Sequence, residues 1–130
     1  MSTPIIQHIV EIVKNLTALG NKLVDSTDAE KYSKGVHSLN QNIEETYSKM
    51  RELIVNDTTL SVEQKEEKLY SLANSQLKAK ERCQEAIQGN RESVARVTAE
   101  IILALSTCGI SYIPKLVNQN TKHNDVNKLK

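Results

Sequence analysis

One carboxylate in this chain stands where a charge is expensive. Glu100 leads directly into Ile101–Pro114, IILALSTCGISYIP, the longest uncharged run in the sequence. An unpaired carboxylate among apolar neighbours carries a heavy desolvation cost unless a cation or hydrogen-bond donors meet it. Arg96 lies four residues earlier on the same helical face, although Arg before Glu is the weaker order for such a pair. Glu100 therefore reads either as half of a rim salt bridge, with Arg96 or a cation on another helix, or as a residue lining a binding groove. Within the run, Ser106, Thr107, Cys108, Gly109 and Ser111 form a patch of small residues over which another helix can approach closely. Tyr112 adds an amphipathic ring of the kind that anchors interfaces. Glu100, Arg96, Ser106, Gly109 and Tyr112 are the candidate binding residues.

Other reactive residue types occur without the spacing that chemistry needs. His8, His37 and His123 sit on separate segments with no second histidine three or four residues away, and read as polar surface groups. Cys83 and Cys108 lack CxxC spacing and neighbouring histidines, so they read as small buried hydrophobes, with a Cys83–Cys108 bridge or a reactive thiol as the alternatives. The pairs Glu44–Glu45 and Glu66–Glu67 project about 100° apart on a helix and read as solvated faces. NLT at Asn15 and NDT at Asn56 match a glycosylation pattern by chance. No nucleophile, phosphate-binding, dinucleotide or zinc motif is present. No catalytic residue, metal ligand set or cofactor is assigned.

The elements that must position Glu100 are helices. The chain has 130 residues, only four Gly and two Pro, and neither Trp nor Phe, a composition poor in turn formers. After Thr3 and Pro4, an N-cap and first-turn pair, Ile5, Ile9, Ile12, Leu16, Leu19 and Leu23 step by four and three. That predicts a helix over about residues 3–24. Thr27 and Glu30 have capping-box spacing, and Tyr32, Val36, Leu39, Ile43, Thr46, Met50 and Leu53 continue the same step, predicting a helix over about 28–55 with Gly35 as a tolerated cost. Asn56 to Thr59 make a loop, and Ser61 with Gln64 forms another capping box. A third, more polar helix follows over about 62–88, with Val62, Leu69, Leu72, Leu77, Cys83 and Ile87 as an interrupted apolar face. Gly89 and Asn90 read as a C-cap and restart, with a short kink inside one long helix as the alternative. A fourth helix, apolar on nearly every side, is predicted over about 91–117, and the Asn- and Lys-rich remainder as a mobile polar tail.

The fold expected is all-α: an antiparallel four-helix bundle in one domain, residues 1–117, with a tail at 118–130. A two-hairpin arrangement that opens or pairs with another copy is the alternative. The tyrosines are expected at core edges.

Charge excludes one class of partner. Seventeen Lys and Arg against sixteen Asp and Glu give a net charge of +1, with no basic block to follow a polyanion, so nucleic acid is not expected. The first residues carry no basic region before their apolar ones, so no signal peptide is expected, and cytoplasmic residence follows by default. The apolar run is shorter than the roughly 20 residues a bilayer requires, and lengthening it takes in Glu100. A core helix explains it more simply. The function expected is a non-enzymatic protein-binding module, adaptor-, immunity- or chaperone-like. It would use a helix face or inter-helix groove to hold a helical partner, a second copy among the candidates. The alternative is a membrane-active protein that exposes or inserts its fourth helix.

Overall fold

The computed structural model describes residues 4–110. Four helices fill most of that span: α1 Pro4–Val24, α2 Ala29–Val55, α3 Val62–Ile87 and α4 Glu92–Thr107. No strand occurs among the described residues. The tail expected at 118–130 and the last part of the expected fourth helix, 111–117, lie outside them.

Local chemistry sets each boundary. α2 begins one residue later than the Thr27–Glu30 reading placed it, because Asp28 is the cap: its Oδ1 accepts from the N–H groups of Glu30 at 3.0 Å and Lys31 at 3.1 Å. The Ser61–Gln64 box forms as expected, with Gln64 N–H on Ser61 Oγ at 3.1 Å and Ser61 N–H on Gln64 Oε1 at 2.8 Å. Two helices end in the same left-handed turn. Gly89 takes φ 107° and Gly109 φ 77°, conformations that favour glycine. Around each, paired backbone bonds close the helix: Asn90 to Glu85 and Gly89 to Ala86 for α3, Ile110 to Leu105 and Gly109 to Ser106 for α4. α3 and α4 are therefore separate helices.

The second of these turns corrects the fourth helix, which stops at Thr107 instead of running to 117. Ile110 folds back onto the core there and is 8% exposed. Gly109 is thus a helix stop.

Contacts between helices run in opposite senses along successive pairs. Tyr32 meets Ala86 and Tyr47 meets Ser75 across α2 and α3; Ser93 meets Glu85, and Thr107 meets Lys68, across α4 and α3. Gly20 lies against Thr98 across α1 and α4. The four helices form an antiparallel ring around one apolar cluster.

The four-three step of α2 is buried nearly as read: Tyr32, Val36, Leu39, Ile43, Thr46, Tyr47, Met50 and Ile54. In α1 the buried line shifts by a few tens of degrees to Ile9, Val13, Leu16, Thr17, Gly20 and Leu23, leaving Ile5, Ile12 and Leu19 half-buried. The reason is that α1 packs against both α2 and α4. In α3 the inward residues are small: Leu72 is joined by Ala79, Cys83 and Ala86. Val62 and Leu77, expected inward, are exposed, as is Tyr70, expected at a core edge.

At one end of the bundle a cation ties all four helices together. The Arg91 guanidinium lies 4.3 Å from the centre of the Tyr32 ring and donates to the Leu23 carbonyl at 2.9 Å. The Tyr32 hydroxyl donates to the Ala86 carbonyl at 2.7 Å. Arg91→Ala is expected to cost about 1–3 kcal/mol in urea denaturation, with Arg91→Lys recovering part of it. A loss below about 0.5 kcal/mol would show the contact to be idle. Gly35 offers a second test. Its missing Cβ makes room for Leu23: a methyl there would collide with Leu23 Cδ2 and lie 3.2 Å from Cγ. Helix propensity alone favours Gly35→Ala by about 1 kcal/mol. Overpacking costs about 1–3 kcal/mol, so the melting temperature is expected to fall, and a clear rise would refute the packing argument.

Candidate functional site

α3 brings a serine to a position where its neighbours in register are apolar. Ser75 lies between Leu72 and Ala79 at helical spacing, half-buried, facing the core. From α2, the fully buried Tyr47 places its hydroxyl 2.6 Å from Ser75 Oγ. From α4, Glu100 accepts from Ser75 Oγ at 2.8 Å through Oε2. A serine hydroxyl has one proton, and it is spent on the carboxylate, so Tyr47 is the donor to Ser75. The three side chains make a directed relay that runs from the buried phenol to a half-buried carboxylate.

Burial pushes the Tyr47 phenol up to about 12, and the negative charge of Glu100 adds to the rise against the bond with Ser75. The phenol therefore stays protonated and donating at neutral pH.

Glu100 opens into a groove between α3 and α4 of about 250 Å³, lined also by Asn74, Lys78, Leu103 and Thr107. Lys78 is exposed, and no carboxylate among the described residues lies within 4.0 Å of its ammonium. On the other side of α4 a second groove of about 230 Å³ is lined by Gly20, Val24, Ala95, Ala99 and Ile102. Between the two grooves stands the outer ridge of α4, where Leu103 is 64% exposed. This corrects the expectation of a fourth helix covered on nearly every side. Its buried face is Val94, Val97, Ile101, Ala104 and Leu105, with Ser93 and Thr98.

Of the residues singled out from the sequence, the structure brings only Glu100 into this groove. Arg96 is not its partner: it pairs with Glu92 at 3.8 Å, the favourable Glu-before-Arg order. Ser106 is exposed outside the groove, and its carbonyl accepts from Gly109. Tyr112 lies outside the described residues. Lys78, Ser75, Tyr47 and Leu103 were missed as site residues. A polar residue in the inward register of α3 was the available signal for Ser75, whereas Lys78 and Leu103 gave none.

The cysteines do not meet. Cys83 is fully buried and Cys108 half-buried, and both are free thiols. α4 ends level with Lys68, so Cys83 lies about 22 Å farther along α3 at 1.5 Å per residue.

Ser75 and Glu100 sit in helix interiors, where backbone N–H groups are engaged along the helix, so main-chain donors do not converge beside the serine. Among the described residues no three His, Cys, Asp or Glu side chains are grouped to hold a metal ion. The groove offers a fixed carboxylate, an ammonium and an apolar lip. Among the described residues no helix is long and apolar enough to cross a membrane. The chain matches no protein-family model, no curated protein and no solved structure.

These groups give the protein an alkaline limit. Burial raises Cys83 and Cys108 from 9.0 to about 11, and Tyr47 rises from 10.0 to about 12. In each case the folded chain holds the proton more tightly than the unfolded one. Their contribution is therefore complete below the unfolded values and is lost as pH rises through the folded ones. The denaturant midpoint is expected to hold from about pH 7 to 9 and to fall steadily above that. Tyr47→Phe should lose about 1 kcal/mol at neutral pH and flatten the fall above about pH 10. An identical alkaline slope in the variant would refute the role given to the phenol.

Proposed function

We propose that this chain is a non-enzymatic protein-binding module that holds a helical partner against α4 and the grooves beside it. The observation that carries this reading is the outer ridge of α4, where Leu103 stands 64% exposed between two open grooves. A large apolar side chain in mid-helix, with a polar groove on one side and a largely apolar one on the other, has the makeup of an interface core with its rim. Glu100 supports the reading, since its relay holds a carboxylate in one orientation at the groove wall. Ordering that group beforehand lowers what binding must spend on it.

Photocrosslinking in the source cells tests the proposal. A photoreactive residue replacing Leu103 is expected to capture a discrete protein, while one replacing Lys34, on the outer face of α2, captures none above background. Absence of a product at position 103 would remove the reading. Liposome flotation at neutral and acidic pH tests the membrane-active alternative. The protein is expected to stay in the soluble fraction at both, and flotation with the lipid at either pH would favour insertion of α4 instead.

A further inference from the structure

We infer that the partner in the α3/α4 groove is a second copy of this chain, placed by a two-fold axis that sets Glu100 of each copy against Lys78 of the other. The inference rests on the protein-binding reading above and names its partner.

The charges carry it. Glu100 and Lys78 line the same groove. Glu100 holds the Ser75 hydroxyl on Oε2 but no cation among the described residues, since Arg96, the basic residue nearest it along α4, is engaged with Glu92. Lys78 has no carboxylate within 4.0 Å among the described residues. Its basic neighbours on α3 are paired, Lys80 with Glu44 and Arg82 with Glu85. One acid and one base left without ion pairs in a single groove is a self-complementary pattern. A two-fold contact brings residue i to j and j to i, so it pairs both charges on both copies at once. A partner surface of one sign would leave one of the two facing its like.

Apolar surface accompanies the charges. Leu103 forms a lip of the groove, and Leu77, next to Lys78 on α3, is 62% exposed. A two-fold contact here buries both leucines of both copies. α3 and α4 run side by side for the length of α4, about 24 Å at 1.5 Å per residue. A face two helices wide over that length gives a footprint on the order of 500 Å² per copy, the small end of specific interfaces. The dimer is therefore a weak one, with a dissociation constant on the order of 100 μM.

Sedimentation equilibrium of the full chain from about 10 to 500 μM tests this. Wild type is expected to pass from monomer to dimer across that range. Glu100→Lys and Lys78→Glu, each alone, should weaken association by about tenfold or more, since each sets like charges together twice. Mixed in equal amounts, the two variants should associate again, because every pair across the mixed dimer is then of opposite sign. Pairing within one chain cannot produce that recovery. Circular dichroism checks that both variants fold, and Glu100→Gln, which keeps an acceptor for Ser75, serves as a second probe with the charge alone removed. A wild type that stays monomeric throughout overturns the inference, as does a mixture of folded variants that remains monomeric. A monomeric wild type still crosslinked to a different protein through position 103 removes the second copy as partner and leaves the protein-binding reading standing.

Discussion

Two buried hydroxyl groups on α2 govern where α3 can lie. Tyr32 and Tyr47 are both buried among apolar neighbours, and a buried hydroxyl without a partner costs about 1–3 kcal/mol. Each finds its partner on α3, the Ala86 carbonyl and Ser75 Oγ. Two such bonds, eleven residues apart on α3, set its position along α2 as well as its rotation. The inward face of α3 is built to allow the approach: beside Leu72 it carries Ala79, Cys83 and Ala86, small enough to admit rings from the neighbouring helix. The same rotation turns Tyr70, Leu77 and Lys78 outward.

The position of α3 then decides what α4 presents. Ser75 has one proton to give, and Tyr47 makes it a better donor by occupying its lone pair. Glu100 is the acceptor that meets it from α4. A carboxylate at the edge of an apolar helix is thereby met by the Ser75 hydroxyl and, among the described residues, by no cation. Arg96, four residues away, is free of this duty and turns to Glu92. The Gly109 turn stops α4 far short of the length of α2, and Ile110 folds back to close the core beneath it.

Much of the bundle was legible before any packing was known. Capping residues, glycines and the four-three step are local signals, and they placed four helices to within a residue or two at seven of eight ends. The exception was α4, where an apolar composition running past Gly109 outweighed the glycine itself. Gly89, where a stop was one of two readings, sits in the same kind of turn. Its polar neighbours made the difference. The site was less legible. Glu100 could be singled out because its cost is a matter of immediate neighbours, whereas Lys78 and Leu103 look like ordinary members of their helices until the groove is formed.

The sequence by itself determined the class, the helix count and the main core positions, because hydrophobic periodicity and capping act over one or two turns. It also marked Glu100 as a carboxylate in need of a partner. Only the tertiary structure decided what that partner is. The relay joins residues 47, 75 and 100 from three helices, and no local pattern encodes a hydrogen bond across such separations. Nor could periodicity tell which of several apolar residues on α3 and α4 would face solvent. Leu77 and Leu103 were left outside by the rotation of two helices about their own axes, and that rotation was set by hydroxyls and small side chains elsewhere in the core.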